Sequence, residues 1–153
     1  MRIRRTQRQA ALVHARGDHG SVTLELTVLT PAVLMLLGLV IVAGRISIAH
    51  QEVDHAAQTA ARAATIARDP ATATAQAVSN GRSELDSSQL HCTDLRITVD
   101  TRGFAVPVGR PAMVSATVTC TLDLADLAVP GIPGSQAITA TATSPLDTYR
   151  GRS

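Results

Sequence analysis

The feature that most constrains this chain is residues 26–44, nineteen consecutive positions without a charged side chain. As an α-helix they span roughly 28 Å, close to the thickness of a bilayer hydrocarbon core. Two alternatives exist: a buried helix of a soluble protein, and a secretory signal cut after the small residues Ser47-Ile48-Ala49. The apolar core of a signal peptide usually runs only about 7–15 residues, so we read a transmembrane helix. Pro31 falls in its first third, where it removes one backbone hydrogen bond and predicts a local kink or loosening.

The flanks give this helix a direction. Residues 1–20 carry five Arg (Arg2, Arg4, Arg5, Arg8, Arg16) against Asp18 alone, whereas from Arg45 onward nine Arg face ten acids. Positive charge beside a membrane segment marks its cytoplasmic end. Residues 1–20 therefore read as a basic cytoplasmic leader, 21–45 as the transmembrane helix, 46–69 as its extracytoplasmic continuation and 70–153 as a small extracytoplasmic domain. About 105 residues lie beyond the bilayer, room for one small domain. The whole chain has one Phe, one Tyr and no Trp, fewer large side chains than a stand-alone enzyme of this size normally packs. No basic patch is interleaved with aromatics, which argues against a nucleic-acid partner.

Helical periodicity continues past Arg45. Ile46, Val53, Ala60 and Ala67 repeat every seven residues, and Ala49, Ala56 and Ala63 repeat with an offset of three. No Gly or Pro interrupts the chain from Arg45 until Pro70. The expectation is one rod from Ser21 to Asp69, about 73 Å long. Its Ala-rich stripe permits close backbone approach, yields little burial energy per residue, and needs a partner: its own domain, a second helix or a neighbouring subunit. Residues 71–86 predict a second, weaker helix broken near Asn80-Gly81, and residues 87–93 a loop.

The period then changes to two. Leu95-Arg96-Ile97-Thr98-Val99, the run 113–124 and the Thr- and Ala-rich run 137–143 alternate as strands do. They are separated by Gly- and Pro-rich linkers at 101–111 and 129–134, which predicts a three-stranded antiparallel meander. Pairing Ile97 with Ser115, Val99 with Met113 and Leu95 with Thr117 sets Cys92 opposite Cys120. A disulfide there would staple the hairpin, closing a loop of about 29 residues worth roughly 3–4 kcal/mol on the chain-entropy account. Free thiols or a metal pair with His91 are the alternative, with too few ligands for a strong metal signal.

Catalytic patterns are missing from the sequence: no phosphate loop, no nucleophile in a recognisable setting and no paired carboxylates. His50, Glu52, Asp54 and His55 cluster, but the two His stand five apart and diverge on a helix, so they read as a solvated face. Glu25, at the edge of the apolar run, is different, because a carboxylate in a bilayer is costly and usually finds a partner. It either sits at headgroup level, favoured by the helix N-terminus, or neutralises a positive charge from another chain.

A basic leader ending in Gly20, Glu25 at the fifth position after it and a long apolar run together resemble the type IV pilin and pseudopilin segment. The continuation Ala56-Ala57-Gln58-Thr59-Ala60-Ala61-Arg62-Ala63-Ala64 looks like the TadE-like proteins of tight-adherence (Flp-type) pilus loci, which the two cysteines around a small terminal sheet also fit. The resemblance implies cleavage between Gly20 and Ser21 by a prepilin peptidase and pairing of Glu25 with a neighbouring subunit's new amine. Where pilins carry Phe or another large apolar residue after the Gly, this chain has Ser21, so an uncut anchor is the other outcome. The fold expected is α+β: a long transmembrane helix extending out of the membrane, then a three-stranded antiparallel sheet stapled by Cys92–Cys120. The function implied is a minor pilin or pseudopilin, not an enzyme, in assembly of a Flp-type pilus or related secretion apparatus. It would sit in the membrane among other pilins and the Tad secretion machinery, with no cofactor, no metal, no nucleic acid and no small-molecule substrate. The alternative is a secreted or anchored cell-surface protein unrelated to pili.

Overall fold

A computed structural model describes residues 19–123, 134–149 and 151. The basic leader before His19, and most of the linker expected at 129–134, lie outside the described residues. The chain divides into two units, Met1–Ile41 and Val42–Ser153.

Helix α1 (His19–Ile66) runs for 48 residues and contains Pro31. Beside the proline, the Thr30 hydroxyl donates to the Leu26 carbonyl at 2.6 Å. Within the first unit, residues 26–41 are exposed all the way round the helix. Leu, Val, Ile and Met side chains open to their surroundings on every side make sense only against an apolar medium or other apolar helices.

The second unit is α+β, as expected. Helix α2 (Pro70–Ser87) follows α1 after three residues. Asp69 caps it, its carboxylate accepting from the Thr72 N–H at 2.8 Å, and Pro70 opens the first turn. That cap explains why α1 stops at Ile66, three residues short of our expectation. Asp69-Pro70 is a helix-start signal, so Ala67-Arg68-Asp69 becomes the corner of a helical hairpin.

The expected break at Asn80-Gly81 does not occur, and α2 passes through it. Gly81 is buried in line with Ala73, Ala77 and Leu85, one residue per turn. A Cβ at Gly81 would lie 3.1 Å from Ile97 Cδ1 and 3.3 Å from Ala60 Cβ. The glycine is there for contact between α2, α1 and the sheet, a packing reason that outweighs its poor helix propensity.

Strands β1 (Asp94–Asp100), β2 (Ala112–Asp123) and β3 (Ser135–Leu146) form an antiparallel meander in the order β1-β2-β3. The expected register is wrong by three residues. Leu95 pairs with Cys120, Ile97 with Val118 and Val99 with Ala116. Directly opposed residues point to the same face, so the apolar positions of β1 must meet those of β2. Ile97 against Ser115 would have matched an inward side chain to an outward one, and an odd slip of this kind inverts every pair.

One face of the sheet buries Val114, Ala116, Val118, Cys120, Leu122, Ile138 and Leu146. Against it lie Ala49, Val53, Ala56 and Ala57 of α1 with Leu85 of α2 at one end. Ala60, Ala61, Ala64, Ala73 and Ala77 with Phe104 fill the other. Of the heptad positions named from sequence, Val53, Ala60 and Ala67 with Ala49, Ala56 and Ala63 are buried, and Ile46 is half-buried. The opposite face is hydroxylic, with Thr117 bonded to Thr141 at 2.9 Å and Thr119 to Thr139 at 3.0 Å. Between β1 and β2 a 3-10 turn (Arg102–Ala105) tucks Phe104 inward. Gly103 is required there, because a Cβ would collide with the Met113 carbonyl.

Gly81→Val is expected to lower the stability of the second unit by about 1–3 kcal/mol, the usual cost of overpacking. Denaturant unfolding of the detergent-solubilised chain checks this. An unchanged midpoint would mean that α2 does not pack as closely as described.

Candidate assembly site

The residues singled out at the start of the apolar run all fall inside α1. Gly20 and Ser21 are the second and third residues of the helix, and Glu25 stands four residues after Ser21. One helical turn separates Ser21 from Glu25, about 6 Å along the axis. The helix then passes directly into the exposed apolar positions from Leu26 onward. From Leu26 it is long and apolar enough to cross a bilayer.

The polar cluster on the outer part of α1 remains a solvated face. His50, Asp54 and His55 are exposed and Glu52 is half-buried. Asp54 accepts a hydrogen bond from the Gln58 amide at 2.9 Å, one turn on. Among the described residues no three His, Cys, Asp or Glu side chains are grouped to hold a metal ion.

Cys92 and Cys120 form a disulfide, with their Cα atoms 5.3 Å apart. The bond was expected straight across the ladder. Cys92 instead lies two residues before β1, and it reaches the residue that pairs with Leu95. Thr93 extends the pairing by one step, its N–H and hydroxyl both donating to the Thr121 carbonyl, at 2.8 and 2.9 Å. The disulfide therefore ties the junction of α2 and β1 to the central strand. His91 is exposed beside it and has no thiolate to share a metal with. An open groove next to the bond is lined by Arg82, Asp86, Gln89, His91 and Cys92, without a nucleophile and base in contact.

Two half-buried carboxylates at the surface are held below their ordinary range. Asp69 is lowered by the Thr72 N–H that it caps. Asp100 is lowered to about 2, first by the hydrogen bonds from the Arg102 side chain and then by the Arg102 backbone N–H. Asp100 ends β1 and Arg102 opens the turn, so the pair fixes the exit of the strand. Sequence reading missed both; the Asp-Pro cap signal was present in the text, whereas the Asp100–Arg102 pair needed the turn geometry.

These features define a class: a chain with, among the described residues, one helix long and apolar enough to cross a membrane, and a second unit that is a disulfide-bonded α+β domain. The family model described as TadE-like protein matches residues 20–62, the segment whose pattern carried the expected resemblance. The match runs from Gly20 into the Ala-rich stretch and stays within α1. No curated protein and no solved structure matches the chain.

Because Asp100 is depressed when folded, its contribution to stability is present above the ordinary carboxylate value, near 4. It disappears as pH falls through about 2. Asp100→Asn is expected to lower the unfolding midpoint at neutral pH, to converge with the parent as pH falls through about 2, and so to flatten the pH dependence across that window. A variant as acid-sensitive as the parent would remove the pair from the acid response.

Proposed function

We propose that this chain is a single-pass membrane subunit, a minor pilin or pseudopilin, of a Flp-type pilus or a related secretion apparatus. The observation that carries the reading is the coincidence of the TadE-like match, residues 20–62, with a helix whose apolar span has no cover within its own unit. Such a span binds lipid, and in assembly it packs against like helices of other subunits.

In this reading residues 1–20 are the cytoplasmic leader, 21–45 cross the membrane, 46–69 continue outside it and 70–153 form the outer domain. The Arg-rich leader supports that orientation. So does the disulfide, because such bonds persist in oxidising compartments. Gly20 and Ser21 flank the cut made by a prepilin peptidase, and Glu25 meets the resulting amine of a neighbouring pilin. Other Tad components are the remaining partners, and the protein works by packing rather than by catalysis.

The secreted alternative is less well supported. A cut after Ala49 would strip half-buried Ile46 and buried Ala49 from the core formed with Val53 and Leu85.

Intact-mass measurement on membrane-extracted protein is expected to show a chain beginning at Ser21; a start at His50 would instead establish the secreted form. Glu25→Ala is expected to insert normally and to co-purify with partner subunits about tenfold less. That loss corresponds to roughly 1.4 kcal/mol, within the range for a carboxylate losing its partner near a membrane edge. Undiminished co-purification would exclude the pairing role.

A further inference from the structure

The sheet offers a second assembly surface, independent of the membrane helix. Its order leaves two edges, β1 and β3. β1 is seven residues long and carries Asp94, Arg96 and Asp100. β3 is twelve residues long, has no charged side chain and pairs along its whole length with β2. Among the described residues, no backbone hydrogen bond joins β3 to any element other than β2. Long uncharged edges are what proteins ordinarily blunt with charge or proline, or cover. Here the one proline, Pro145, falls next to the end of the strand.

We infer that the open edge of β3 receives strand β1 of a second copy of this chain, added in parallel. The inference rests on the reading of the protein as a membrane subunit, because copies anchored in one bilayer share an orientation. Lying side by side in that orientation, two sheets present unlike edges. β1 and β3 run in the same direction, since each is antiparallel to β2. Like edges break that continuity of direction or face: β3 against β3 either runs antiparallel or sets its hydroxyl face beside the other's apolar face.

The unlike pairing keeps both faces continuous. Thr98, Thr117 and Thr141 stand in one row across the sheet. The next copy's Thr98 extends the hydroxylic face on which Thr117 and Thr141 already bond, and its Ile97 and Val99 extend the apolar one. The contact uses two different surfaces, so it repeats from copy to copy and propagates, giving a ring, row or helical array.

The test is disulfide cross-linking of the full chain in phosphatidylethanolamine–phosphatidylglycerol vesicles. Thr98→Cys is combined in turn with Thr139→Cys, Thr141→Cys and Thr143→Cys, all at exposed positions, so that a stagger of two residues either way is covered. Under mild oxidation at least one double variant is expected to give a ladder of dimers and larger species, several-fold stronger than either single variant. Absence of a ladder from all three overturns the inference, as does Thr141→Cys alone cross-linking as strongly as the doubles. Alkaline extraction of the same vesicles separates the two failures. A chain washed from the bilayer overturns the membrane reading and this inference with it, whereas an inserted chain that does not cross-link overturns only the edge contact.

Discussion

Everything in the outer unit depends on how closely the Ala stripe of α1 lets other backbone approach. Ala49, Ala56, Ala57, Ala60, Ala61 and Ala64 are buried, and what meets them is small as well: Ala73, Ala77 and Gly81 on α2, Ala116 on the sheet. Burial energy scales with apolar area, so each methyl contributes little. What such a core permits instead is close approach of the elements at little entropic cost, because Ala has no side-chain rotamers to freeze. The cost is intolerance of added volume. Gly103 leaves no room for a Cβ against the Met113 carbonyl, and at Gly81 a Cβ would press on Ile97 and Ala60.

A thin core explains why so much is asked of covalent and local devices. Phe104, the one Phe in the chain, is spent at one end, and Tyr149, the one Tyr, stays 87% exposed. At the other end Cys92–Cys120 fastens the exit of α2 to the middle strand. A loop of that size restricts the unfolded chain by roughly 3–4 kcal/mol on the entropic account, a large fraction of the total for a small domain. The Asp69 cap and the Asp100–Arg102 pair act at two further corners, where a chain leaves one element for the next.

Much of this was legible before any coordinates. The seven-residue repeat picked buried positions on α1 correctly because one helix face had a single consistent neighbour. The meander and the disulfide followed from period-two alternation and cysteine placement. The register did not follow, although it could have: Ile97 and Ser115 belong to opposite faces of their strands, and applying that parity to the pairing would have rejected it. Gly81 is a different case. Asn-Gly is ordinary turn chemistry, and only the approach of Ala60 and Ile97 reveals why glycine sits inside a helix there. Gly20, Ser21 and Glu25 fall inside α1, and the spacing that singled them out is displayed by the sequence directly.

The use of the Ala stripe bears on assembly. From sequence, that stripe could have served α1's own domain, a second helix or a neighbouring subunit. In the fold, α2 and the sheet occupy it, and the remaining surface of the outer part of α1 is mostly polar, with Arg45, Gln51, His55, Gln58 and Arg62 exposed and only Ile48 and Ile66 as large apolar side chains among them. A second subunit therefore finds no free apolar seam along residues 45–66. The continuous uncovered apolar surface of α1 is in 26–41, and helices that associate in lipid do so through shape and hydrogen bonds rather than through the hydrophobic effect. Packing of that kind discriminates poorly between similar greasy helices. In the assembly proposed above, a single carboxylate at a fixed turn, Glu25, would supply the register and partner choice that the surrounding Leu and Val cannot, in the way one polar residue fixes alignment in an otherwise apolar coiled coil.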